Sequence, residues 1–86
     1  MMDGMMGVRA TVLLQMQQVA REQDRKLTVL ADDVPLLESG LDSLCLAVIV
    51  ARLEDILGVD PFSAATDAHF PVTVGDFVRA YEDATK

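Results

Sequence analysis

The apolar residues of this chain recur at intervals of three and four and nowhere alternate over a run long enough for a strand pair, which confines the chain to packed helices. From Val8 to about Glu22, the residues Val8, Val12, Met16 and Val19 make one stripe with Leu13 and Ala20 beside it. Arg9, Gln15, Gln18, Arg21 and Glu22 take the other face, and the polar cluster Gln23 to Lys26 ends this first helix. A second helix is expected from Asp42 or Ser43 to Leu57, because Asp42 is a good cap, Gly40 breaks the backbone cheaply and Gly58 is a stop signal. Its buried stripe is expected at Ala47, Val50, Leu53 and Leu57, with Ile49 and Ile56 flanking and Arg52, Glu54 and Asp55 toward water. Thr73 and Asp76 have the spacing of a capping box with Asp in place of Glu, and Phe77, Val78 and Tyr81 then supply a helical apolar face to about Ala84.

Between the first two helices, Leu27 to Leu41 holds Leu27, Val29, Leu30, Val34, Leu36 and Leu37, and Pro35 forbids a continuous helix through them. Such a connection must be packed, and its length in a small domain points to function or to a further short element. Pro61 and Pro71 bracket a stretch with room for one helical turn near Thr66 to Phe70. The expected fold is therefore all-α: three main helices, a short one before the last, and a long loop between the first and second. Phe62, Phe70, Phe77 and Tyr81 read as core, since nothing basic interleaves with them.

At 86 residues and 51% hydrophobic content the chain has room for one domain with a thin core, and not for a deep cleft walled on every side. Residues 8–86 are expected to form that single domain, with the Met- and Gly-rich residues 1–7 as a disordered tail. Most enzyme folds are excluded at this size. Fourteen acidic side chains against seven basic ones leave a net charge of -7, which repels nucleic acid and anionic lipid, favours basic patches on partner proteins and keeps copies apart as monomers. The lone Cys45 cannot form an internal disulfide, and with the single His69 it cannot build a zinc site of Cys and His ligands; this fits a reducing cytoplasm. Asp32, Asp33 and Asp42 lack the spacing of a calcium loop, so no metal site is expected. The start of the chain lacks the basic region and cleavage pattern of a signal peptide, and the uncharged run Ser43 to Ala51 falls well short of the roughly 18 apolar residues that span a bilayer.

Chemistry concentrates in Glu38-Ser39-Gly40-Leu41-Asp42-Ser43-Leu44, where the long loop meets the second helix. A serine there places its hydroxyl at a helix N-terminus, whose free N–H groups and positive dipole end favour a phosphodiester built on that oxygen. Asp42 works in two directions. It caps the helix and is suited to a metal-bound phosphate donor during transfer, yet afterwards it repels the diester. The competing reading of Ser43 is a plain helix cap; a hydrolase nucleophile is excluded, because His69 lies far along the chain and the Gly-x-Ser-x-Gly elbow is absent.

The segment Gly40-Leu41-Asp42-Ser43-Leu44 resembles the signature of the acyl and peptidyl carrier protein family, an Asp-Ser-Leu triplet after a Gly-Leu pair at the start of the second helix. The resemblance extends over most of the chain and leaves Met1 to Gly7 outside. It implies a non-catalytic carrier in which a phosphopantetheinyl transferase moves 4'-phosphopantetheine from coenzyme A onto Ser43. The thiol of that arm then holds an acyl or aminoacyl cargo as a thioester and delivers it to partner enzymes, where tethering makes weak docking sufficient.

The early turns of the second helix depart from the acidic surface usual in fatty-acid carriers: Cys45, Leu46 and Val48 stand there, and acids appear only at Glu54 and Asp55. The implied partners are therefore an AMP-forming acyl or aminoacyl ligase or other acyltransferases, in specialised rather than bulk fatty-acid metabolism. Asp42, Leu44, Leu46 and Val48 are the expected docking residues, although Leu46 and Val48 equally suit burial under the Leu27 to Leu37 loop. Fatty-acyl cargo predicts a cavity opening between the helices, and aminoacyl cargo predicts a closed core. Cys45 and His69 read as structural or surface residues. The alternative function is a small helical interaction module without a prosthetic group, which uses the same apolar helix face to bind a partner helix or itself.

Overall fold

The computed structural model describes residues 7–62 and 71–85. Among these residues there are three α-helices, α1 (Val8–Glu22), α2 (Ser43–Leu57) and α3 (Val74–Ala84), and a 3-10 turn, Leu36–Glu38, lies in the α1–α2 connection. The expected turn at Thr66 to Phe70, with His69, lies outside the described residues.

Each helix ends where local chemistry stops it. The N–H of Arg25 donates to the Ala20 carbonyl at 2.7 Å and that of Asp24 to Arg21 at 3.2 Å, with Asp24 left-handed at φ 58, so α1 closes in a Schellman motif and the chain reverses. Gly58 ends α2 at φ 75, its N–H bonded to Glu54 at 2.8 Å. In α3 the capping box is complete: the Thr73 hydroxyl accepts from the Asp76 N–H at 3.1 Å and the Asp76 carboxylate from the Thr73 N–H at 3.3 Å.

α1 packs on both other helices. Its Val12, Met16, Val19 and Ala20 meet Ile49 and Leu53 of α2 and Phe77, Val78 and Tyr81 of α3 in one core, closed from the loop side by Leu36 and Leu41. Gln15, expected on the polar face, is buried instead; its amide donates to the Gln18 side chain at 3.2 Å, which offsets the cost of burying it.

The buried stripe of α2 differs in phase from the expectation. Cys45, Leu46, Ile49 and Leu53 are buried, Val50 and Leu57 are half-buried, and Ala47 and Ile56 are exposed. Between Leu44 and Ala51 the helix is apolar nearly all round, so two stripes of equal spacing compete, and contact with α1 selects the one through Ile49.

The long connection is packed at both ends. The Leu36 N–H bonds to Val72 at 2.9 Å, the Val74 N–H to Val34 at 2.9 Å and the Gly75 N–H to Asp32 at 2.9 Å, fastening the loop to the start of α3 around an isolated bridge of Pro35 with Thr73. Closer to α2, the Thr28 N–H bonds to Ser39 at 2.9 Å, and the Lys26 carbonyl packs directly on Gly40.

Candidate functional site

Ser39, Gly40 and Leu41 aim the start of α2. Ser39 is fully buried and its hydroxyl donates to the Leu36 carbonyl at 2.5 Å, while Leu41 is 2% exposed and anchored in the core. Gly40 between them sits at φ 107, a conformation reserved for glycine, with no room for a β-carbon against Lys26. Two inward anchors around this corner leave the next two residues outside: Asp42 is half-buried and Ser43 exposed.

Asp42 is the N-cap of α2, its Oδ1 accepting from the Cys45 N–H at 2.9 Å. Its other oxygen, Oδ2, receives the Arg25 guanidinium. The Cys45 N–H foremost, with Arg25 adding to it, holds the Asp42 carboxyl below the usual carboxylate range. Asp42 is therefore an anion above mildly acidic pH, fixed by two donors beside the serine.

Two cavities open on Ser43. One, of about 540 Å³, is apolar: Leu37, Leu46, Ala47, Val50 and Phe62 line it, with Ser43 and Asp60 as the polar members. Phe62 carries this wall into the core, stacked on Phe77 at 5.7 Å and edge-on to Tyr81 at 5.7 Å. The other, of about 350 Å³, is lined by Arg25, Leu37, Gly40, Leu41, Asp42 and Ser43.

The expected docking residues separate. Leu44 is 64% exposed and available to a partner. Leu46 is 3% exposed, so its side chain belongs to the core and to the cavity floor rather than to a protruding rim; the phase set by Ile49 and Leu53 turns it inward. Val48 is half-buried against the core. Leu37, 70% exposed on the 3-10 turn, lines both cavities. Cys45 is buried, its N–H serving the cap. Among the described residues no group of three His, Cys, Asp or Glu side chains is placed to hold a metal ion, and no helix is long and apolar enough to cross a membrane.

Arg25, Leu37 and Phe62 were not singled out for the site by sequence reasoning. Arg25 sits in the polar cluster after α1, seventeen residues from Asp42, and Phe62 reads as an ordinary core aromatic. The only sequence signal for Leu37 is its place in the apolar connection before Gly40.

The site is thus an exposed serine at a capped helix start, between an apolar cavity and a cationic side chain. The family model described as phosphopantetheine attachment site matches residues 15–79, most of the chain, and the chain belongs to that family. The family carries 4'-phosphopantetheine covalently on a serine. No curated protein and no solved structure matches the chain.

The residues present fit that group. The Ser43 hydroxyl is accessible at a helix N-terminus, and an apolar cavity begins beside it.

Proposed function

We propose that residues 8–86 act as one acyl (or aminoacyl) carrier domain with Ser43 as the attachment point of the 4'-phosphopantetheine arm. The observation that carries this is the exposure of Ser43 at the first position of α2, immediately after the capping Asp42, in a chain of the phosphopantetheine family. The arm supplies the thiol on which cargo travels as a thioester; the chain's own residues present the serine, hold the helix start and offer the docking surface.

A phosphopantetheinyl transferase loads the arm from coenzyme A, and an AMP-forming acyl or aminoacyl ligase, or another acyltransferase, loads the cargo. Asp42 beside the serine serves the transferase. Leu44 and Leu37, both exposed, with half-buried Val48, form the apolar docking face for the enzymes that follow. That face lacks the acids of bulk fatty-acid carriers, which favours specialised metabolism in the cytoplasm. The cavity of about 540 Å³ beside Ser43 favours an acyl cargo with an apolar portion over a small polar aminoacyl one.

Intact mass after incubation with coenzyme A, magnesium and a broad-specificity phosphopantetheinyl transferase tests the reading. Wild type gains one phosphopantetheine and Ser43→Ala gains none. A folded wild type that gains nothing beside an active transferase sinks it, in favour of the prosthetic-group-free interaction module.

A further inference from the structure

We infer that Arg25 is the built-in counter-ion of the phosphodiester on Ser43, bridging it to the Asp42 carboxylate. The inference deepens the proposed function and rests on Ser43 as the attachment point.

The need for such a cation follows from the site itself. A diester on the Ser43 oxygen brings a permanent negative charge next to Asp42, which is itself held anionic by the Cys45 N–H and by Arg25. Two adjacent anions repel, and a cation between them offsets that repulsion. The helix N-terminus offers partial positive charge, but the Asp42 cap already draws on it.

The backbone brings Arg25 to this place. The left-handed turn at Asp24 reverses the chain at the end of α1 and bonds the Arg25 N–H to Ala20. One residue later the Lys26 carbonyl rests against Gly40, and the Thr28 N–H bonds to Ser39, so the segment bearing Arg25 lies along the segment that leads into Ser43. Its guanidinium reaches Asp42, and both line one cavity with Ser43. Among the ion pairs of the described residues, the others tie Arg9 to Asp32, Arg52 to Glu22 and Arg79 to Asp76, and only that of Arg25 reaches the start of α2.

A guanidinium suits this task better than an ammonium. Its planar fork has five N–H donors, of which a carboxylate engages at most two, so Asp42 and a phosphate oxygen are served together. Before modification the fork rests on Asp42; after it, the same fork spans two anions. The arm then leaves Ser43 from a fixed root while its far end stays mobile.

The test is a cycle of four samples: wild type and Arg25→Gln, each without the arm and after complete loading by transferase, verified by intact mass, and melted at low ionic strength. Loading lowers the Tm of Arg25→Gln by about 3 °C more than it lowers that of wild type. Arg25→Lys recovers part of the difference, and about 1 M salt removes most of it. An Arg21→Gln chain, which loses the same charge elsewhere, responds to loading as wild type does, and the 31P resonance of the diester moves in Arg25→Gln but not in Arg21→Gln. An equal response to loading in wild type and Arg25→Gln, or an equal loss in Arg21→Gln, overturns the inference while leaving the attachment reading intact. A wild type that gains no mass removes both.

Discussion

The Lys26 carbonyl sits against Gly40 so closely that a β-carbon at position 40 would occupy its space. This contact joins the exit of α1 to the approach of α2. Gly40→Ala meets both a left-handed φ of 107 and that carbonyl, and is expected to cost roughly 1–3 kcal/mol from conformation alone. A thermal melt followed by circular dichroism should fall by about 4 °C or more. An unchanged melting temperature would mean that position 40 neither keeps this conformation nor meets the carbonyl.

Asp42 contributes to stability as an anion. Its carboxyl is held low in the folded chain, chiefly by the Cys45 N–H and then by Arg25, and rises to about 3.9 on unfolding. A lowered folded value stabilises above the unfolded pKa and loses that contribution as pH falls through the folded one. The melting temperature of wild type should therefore exceed that of Asp42→Asn at pH 6, and the gap should narrow as pH falls below the unfolded value of about 3.9. A gap independent of pH would assign the effect to shape instead of charge.

Leu44 and Leu46 separate the proposed docking face from packing, because one is 64% and the other 3% exposed. Leu46→Ala should lower stability by about 2–5 kcal/mol. Leu44→Ala should leave the melt within about 0.5 kcal/mol of wild type and slow transfer of cargo from the loaded arm to a partner. Equal transfer rates in wild type and Leu44→Ala would remove Leu44 from the docking face.

The Tyr81 hydroxyl is buried and finds no hydrogen-bond partner among the described residues, and burial pushes its pKa up. Deleting an unpartnered polar atom without changing the ring should stabilise, so Tyr81→Phe is expected to gain about 1 kcal/mol. Urea unfolding would show it as a higher midpoint at constant slope. A loss of stability would show that the hydroxyl is hydrogen-bonded in solution.

The helix limits were legible because the signals are local. Gly58 terminates α2 by its own conformation, and Thr73 with Asp76 forms the cap of α3 within one turn. The proposed attachment motif Asp42-Ser43-Leu44 is local in the same way. What stayed hidden depends on distant partners. The phase of α2 is set by α1 across the core, because residues 44–51 are too uniformly apolar to choose a face themselves. Nothing near Arg25 announces Asp42, and nothing near Leu36 announces Val72; both pairings exist only once the connection has folded back. The burial of Gln15 has the same origin, since it follows from where α2 and α3 press on α1.

Phe62 is at once a wall of the apolar cavity and the outermost ring of a triad whose other members are Phe77 and Tyr81. Tyr81 is the one tyrosine of a chain without tryptophan. The protein therefore carries a native optical gauge: any occupant of the cavity that displaces Phe62 alters the surroundings of its single ultraviolet emitter of note, and is expected to change tyrosine fluorescence without a dye.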